Sequence, residues 1–548
     1  MRLAHAALVA VFASGVAAAN LSADDKDHQH QHTRPEKLGS VTFPTSCAAA
    51  VQAPFTRAVA LLHSFWYDEA EKAFGAVAAA EPSCAMAQWG VAMSLYHPIW
   101  AAPTPAELKR GQDAVAKARA AAATATERER DYVGAIEAYF NDADTADALT
   151  RAGRYEQAME RVYARYPDDR EAAIFYSLAL LGTAAPADKT YANQRKAGEI
   201  LNKVLPAQPD HPGVAHYLIH SFDYPQLADL ALPAARSYSK IAESSPHALH
   251  MPSHIFVRLG LWDDSIRANQ DAAAAARAHV RKTLPGAHSF DELHAVDYLT
   301  YAFLQQGRDA KAREMVDLVR KVDKLDNPNF AAAYALAAVP ARYAFERGRW
   351  AEAAALEVAP ASFPWAQFAF AEAITQFARA VGAARSGDPG RAKLAIERLD
   401  ALHKAAVDAK TPYWPGQIEI QRRAAAGWLA RAENRPEDAL RLLKEAVDLE
   451  AATDNTGPGV TVVPAREMYA DLLMDLGRPA EALADYEASL QVAPNRSYAL
   501  SGAVRAAGAA GQDEKARALY ATLEKVTAGG DRARPDPAKL KASKKAGS

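Results

Sequence analysis

The segment Gly477-Arg478-Pro479-Ala480-Glu481-Ala482 returns 34 residues later as Gly511-Gln512-Asp513-Glu514-Lys515-Ala516. Variants of it recur upstream: Phe65-Trp66-Tyr67-Asp68-Glu69-Ala70, Gly153-Arg154-Tyr155-Glu156-Gln157-Ala158, Gly260-Leu261-Trp262-Asp263-Asp264-Ser265, Gly307-Arg308-Asp309-Ala310-Lys311-Ala312 and Gly348-Arg349-Trp350-Ala351-Glu352-Ala353. In two of these copies a proline follows twelve residues after the alanine, from Ala70 to Pro82 and from Ala482 to Pro494. Each part has a physical reading. Glycine ends one helix in a left-handed cap. The aromatic fills the gap to a second helix, and alanine lets the two helices approach. Proline closes the second helix and admits the next. One such hairpin cannot bury its own apolar face, so neighbours must stack to build a core. Abundant alanine with few β-branched runs favours helix over sheet.

A 34-residue period with this pattern resembles the tetratricopeptide repeat. The resemblance implies an all-α tetratricopeptide-repeat solenoid, a superhelix of about twelve helical hairpins from roughly Val51 to Val526. Copies near Thr126–Ala158 and Tyr191–Pro206 match loosely. The 548 residues exceed what one hydrophobic core holds, which a repeat array explains. Three stretches, Leu61-Leu62-His63-Ser64-Phe65-Trp66-Tyr67, Cys84-Ala85-Met86-Ala87-Gln88-Trp89-Gly90 and His247-Ala248-Leu249-His250-Met251-Pro252-Ser253-His254, resemble exported bacterial tetratricopeptide proteins of an uncharacterised family. That resemblance implies fold and export and attaches no activity.

Residues 1–19 read as a signal peptide: Arg2, a short apolar stretch from Ala6 to Val16, and small residues through Ala19. Residues 20–45 are expected to be a disordered tail carrying His28, His30 and His32, a tract that binds metal weakly at best. An N-terminal array over 46–280 is followed by an insertion loop at 281–295 and a central array over 296–452. A Gly/Pro-rich loop at 453–464 precedes a final repeat pair at 465–528 and a disordered basic tail at 529–548. The expected location is exported, periplasmic or secreted, with no apolar run long enough for a membrane span. In an oxidising compartment Cys47 and Cys84 are a candidate disulfide, against the alternative of two buried thiols. The net charge of -3, from 63 basic and 66 acidic residues, offers no footprint for nucleic acid.

The sixteen histidines are unevenly spread, with nine between His211 and His294. His216 and His220 are four apart, as are His250 and His254, and the pairs are separated by one period. Residues four apart share a helix face, and the same face recurs one repeat later. Four imidazoles should therefore form a two-by-two patch. His247, His250 and His254 lie 13, 10 and 6 residues before Gly260, and His294, Asp297 and Tyr301 lie equally before Gly307. The resemblance implies that these positions face the concave groove. Pro252 should kink this stretch and displace His247. Candidate metal ligands are His216, His220, His247, His250, His254, His294 and Asp297, a set suited to Zn, Cu or Fe.

Further groove candidates are Tyr301, Arg342 and, from the insertion, His288, Asp291 and Glu292. His63 and His97 are also 34 apart, with Trp89 near the latter. Glu467, Asp471 and Arg505 occupy groove positions of later repeats. No phosphate loop, dinucleotide fingerprint, nucleophile elbow or His-Glu-x-x-His is present, so no nucleotide cofactor is expected. Three functions follow. The first is a scaffold holding a transition metal at the histidines, and the second a metal-independent groove for a protein or peptide. The third is a metalloenzyme in which Asp291, Glu292 or Tyr301 serves as acid or base.

Overall fold

A computed structural model describes residues 36–99, 101–409, 411, 413–453 and 461–534. The expected signal peptide, His28, His30 and His32, and the chain beyond residue 534 lie outside the described residues. From Lys37 the chain forms one unit.

That unit is an all-α tetratricopeptide-type solenoid. Its first five hairpins pair Ala49–His63 with Tyr67–Ala80, Ala85–Ser94 with Pro105–Ala121, Glu127–Phe140 with Ala148–Arg165, Arg170–Gly182 with Ala192–Val204, and Pro212–Phe222 with Ala228–Ile241. In the sixth, the split helix Pro246–His250 and Pro252–Arg258 pairs with Trp262–Thr283. Next come Phe290–Gln305 with Asp309–Val319, Phe330–Glu346 with Trp350–Ala354, and Ala369–Arg385 with Pro389–Asp408. Trp414–Ala432 with Pro436–Ala452, Ala465–Asp475 with Pro479–Val492, and Ser497–Ala509 with Asp513–Val526 complete the array. Among the described residues the only strand-like pairing is one bridge, His288 to Leu325. No described helix is long and apolar enough to cross a membrane.

The repeat chemistry works as the pattern implies at most turns. Gly260, Gly307, Gly348, Gly477 and Gly511 all take positive φ between their two helices. A Cβ on Gly260 would stand 2.4 Å from the Pro494 carbonyl oxygen, so this turn also needs the missing side chain for packing. Ala70, Ala312, Ala353, Ala482 and Ala516 are buried where the paired helices meet. Gly153 departs from the pattern: it lies inside Ala148–Arg165. That helix starts early because Asp147 caps it, accepting a hydrogen bond from the Thr150 backbone N–H.

Two loop segments are laid along the first helices of the hairpins. Residues 37–47, assigned mostly to a disordered tail from the sequence, are ordered and packed. Phe43 is buried against Phe55, Trp89, Tyr132 and Phe175, one aromatic from each of the first four hairpins. Ser40 N–H donates to the Asp210 carbonyl, and Ser244 N–H to that of Lys37. A Cys47–Cys84 disulfide pins the end of this strap. Closing a loop across 37 residues of separation stabilises by roughly 3–4 kcal/mol in the chain-entropy model. Residues 461–463 are the second segment: Val462 and Val463 are buried, and Arg342 donates to the Thr461 carbonyl.

The last hairpins pack back on the middle ones. Arg496 is fully buried and donates to Glu467, Glu346 and the Tyr301 hydroxyl at 2.7–2.8 Å. Trp262 Nε1–H donates to the Asn495 carbonyl, and Ser497 N–H to Gln305. Residues expected in the basic tail also join this contact, Arg532 N–H donating to the Gly307 carbonyl.

Candidate metal centre

Three successive hairpins place the histidines. Pro212 opens the helix bearing His216 and His220, and His211 caps it by accepting from the Val214 N–H. Pro246 opens the helix bearing His247 and His250, capped by Ser245. Pro252 does break this stretch, and His254 lies on the helix that follows. The break does not remove His247, whose ring stands 5.1 Å from that of His216. His294 lies on the first helix of the next hairpin.

The six rings form one cluster. Centroids step from His216 to His220 at 4.7 Å, then to His254 at 6.4 Å, His250 at 5.1 Å and His247 at 6.2 Å, which closes on His216. His294 lies 4.3 Å from His250. The cluster is not the open patch that groove positions imply: His216, His247, His250 and His254 are buried, and His220 and His294 are partly exposed. Phe65 packs on His216, His220 and His247, and Tyr238 stacks on His216. Burial pushes His216 and His294 down to about 3, and His220, His247 and His250 well below the usual imidazole range. Neighbouring imidazoles add to the effect, so these rings are neutral near pH 7.

Hydrogen bonds assign the tautomers of three rings. His254 Nδ1–H donates to Asp223 at 2.7 Å. Burial raises the Asp223 carboxyl, but Arg258 and His254 outweigh it and hold the group below its ordinary range. His250 Nδ1–H donates to Asn269 Oδ1 at 2.7 Å, and Asn269 is oriented by its own Nδ2–H bond to the Ser265 carbonyl. His216 Nδ1–H donates to the His63 carbonyl at 2.7 Å. A neutral ring that donates from Nδ1 carries an unprotonated Nε2. His250 Nε2 and His254 Nε2 face each other at 3.1 Å, and His216 Nε2 and His220 Nε2 are 3.0 Å apart. Tyr298 OH donates to His254 Nε2 at 3.2 Å. The ring nitrogens divide into two triads, each mutually within 4.8 Å: His216, His220, His247 and His250, His254, His294.

A third group, His63, Glu171 and His211, has ligand atoms equally close. Here every site is matched by protein. Each imidazole donates from Nε2 to one Glu171 oxygen at 2.9 Å, while Tyr217 OH donates to His63 Nδ1. Burial opposes ionisation of Glu171, but His211 and His63 overcome it and bring the carboxyl to about 2. This group is a hydrogen-bonded pillar that fixes the carbonyl supporting His216. Gly213 makes room for it, since a Cβ there would meet the His63 ring at 2.5 Å.

Other sequence-chosen residues stand apart from the histidines. Asp297 accepts from Arg342 at 3.3 Å, and Tyr301 bonds Arg496. His288 and Arg277 pair with Glu292. Asp291 is pushed up to about 7 by burial and by Asp326 and Asp68. His97 packs on Tyr67, and Trp89 is core. The residues missed from sequence are Asp223, Asn269, Tyr298, Glu171 and the capping His211. For Tyr298 a signal existed: it is one turn beyond His294, on the same face, whereas Asp297 and Tyr301 point toward the next helix.

No family model matches the chain, and no curated protein matches it. Several solved helical-repeat structures are similar. A human IFIT1 dimer with PPP-AAAA is 13% identical with TM-score 0.38, over 86% of this chain and 89% of that one. Yeast Tom70 is 12% identical with TM-score 0.32, over 91% and 95%. The P58(IPK) TPR domain is 13% identical with TM-score 0.20, over 85% and 100%. Scores of that size carry no argument about function.

Proposed function

We propose that this protein is a transition-metal-binding solenoid that holds copper or zinc in its buried histidine cluster. One observation carries the reading. His250 and His254 each give the Nδ1 proton to an outer partner and turn bare Nε2 atoms toward each other. Two lone pairs at 3.1 Å repel unless a proton or a metal ion lies between them. Donors about 2.0–2.1 Å from one ion, at ordinary bond angles, stand about 3.0–3.4 Å apart. Outer partners of the type seen here, a carboxylate, an amide and a backbone carbonyl, hold metal-binding imidazoles in this tautomer. An all-imidazole donor set favours copper and zinc over oxygen-loving cations and over iron sites that use a carboxylate.

Burial of the donors supports a resident ion rather than cargo passed on from an open groove. The covering of the first helices by residues 37–47 and 461–463 also argues against a long peptide groove there. The disulfide supports the exported, oxidising location expected from residues 1–19. The test is metal retention. Full-length protein without a histidine tag is loaded with Zn(II) or Cu(II) and passed through a competing chelator. Retained metal, reduced in His250→Ala/His254→Ala, supports the proposal. Complete stripping of the folded wild-type protein overturns it.

A further inference from the structure

We infer that the cluster is a dinuclear centre, two tri-histidine sites made by the same repeat used twice. The inference rests on the metal reading above and adds the number of ions and their ligands. One copper or zinc ion takes three or four imidazoles, whereas six converge here. The six divide by geometry into the triads His216, His220, His247 and His250, His254, His294.

The repeat explains the division. His216 and His220 recur as His250 and His254 after one period of 34. Each pair is completed from the following hairpin, by His247 and His294, which both lie 13 residues before a turn glycine. Each triad is thus one i, i+4 pair plus one residue from the next first helix. Each contains an Nε2–Nε2 approach, at 3.0 Å in one and 3.1 Å in the other. Each contains an imidazole anchored through Nδ1, His216 in one and both His250 and His254 in the other.

The ladder also stops for a visible reason. One repeat on, Asp297 and Tyr301 stand where His250 and His254 stood, and they are taken by Arg342 and Arg496. The two triads touch, His220 lying 6.4 Å from His254 and His247 6.2 Å from His250 between ring centroids. Ions in both triads are therefore neighbours inside one aromatic shell. The donors contain no carboxylate; Asp223 acts through His254.

The experiment loads the full chain with Cu(II), removes loose metal with a chelator, and combines elemental analysis with electron paramagnetic resonance. The wild-type protein should keep two copper ions per chain and show magnetic coupling between them. His220→Ala and His294→Ala remove partly exposed members of the two triads. Each should keep one ion and lose the coupling, with helical circular dichroism unchanged. One ion in the wild-type protein, or two without coupling, overturns the dinuclear centre. A single ion leaves the metal reading standing, whereas no retained ion fails that reading as well. The wild-type stoichiometry decides the matter even where a variant does not fold.

Discussion

His250 Nε2 and His254 Nε2 stand 3.1 Å apart, while Asn269 and Asp223 accept from the two Nδ1–H groups. A hydrogen bond between these rings would need one to become an imidazolium. For His250 burial opposes that. Paired Nε2 atoms at this distance suit a metal cation.

Asn269 acts on this pair from outside. Asn269→Ala removes the acceptor that fixes the His250 tautomer, without touching any ring nitrogen that would meet metal. Metal affinity should fall by roughly 10–100-fold, read by chelator competition. An affinity within twofold of wild type would contradict the role given to Asn269.

Acid should unfold the metal-free protein early. His216 and His294 are held at about 3 by burial, against an unfolded value near 6.5. The unfolded chain then binds protons first as pH falls. Stability is complete above about 6.5 and lost toward 3, at up to ~1.4 kcal/mol per pH unit for each group. Urea unfolding at pH 7.5, 6 and 5 should show the decline starting above the carboxylate range. The double variant His216→Gln/His294→Gln should show a shallower decline. An equal slope in that variant would rule out these rings as the source.

Asp291 has the opposite sign. Its carboxyl is raised to about 7 by burial, Asp326 and Asp68, so the folded state holds the proton that the unfolded chain releases near pH 4. Stability from this group is present in acid and lost as pH rises toward 7. Asp291→Asn should therefore stabilise by about 1–2 kcal/mol at pH 8 and by nothing at pH 4. Thermal unfolding at both values checks it.

Arg496 ties the last repeats to the middle of the array. Arg496→Met leaves Glu346 and Glu467 buried without their shared cation and should cost about 3–5 kcal/mol. Arg496→Met/Glu467→Gln should recover part of that loss. Metal retention should stay at the wild-type level in any folded fraction, since this network does not touch the histidines.

The fold was readable in the sequence because each repeat turn carries its own local signals. Gly260, Gly307, Gly348, Gly477 and Gly511 mark turns, and the paired alanines mark helix contacts. Gly153 misled because Asp147, six residues earlier, starts the helix first. The histidine ladder was also legible, since a 34-residue period combined with i, i+4 spacing places side chains across neighbouring helices. Its burial was not. That depends on Phe65, brought from the first hairpin, and on Tyr238 of the paired helix packing over the rings. Asp223 and Asn269 were unreadable for a similar reason: neither belongs to the ladder, and only folding brings them to the Nδ1 atoms. The strap at Phe43 likewise has no repeat pattern, and its burial comes from four aromatics far apart in the chain.

The most direct measurement is metal content of the full-length protein, free of a histidine tag, isolated from its own compartment under mild conditions. Near-stoichiometric copper or zinc that resists a chelator and falls in His250→Ala/His254→Ala is the predicted result. A folded protein that carries no transition metal as isolated, and retains none after loading with Cu(II) or Zn(II), would contradict the account.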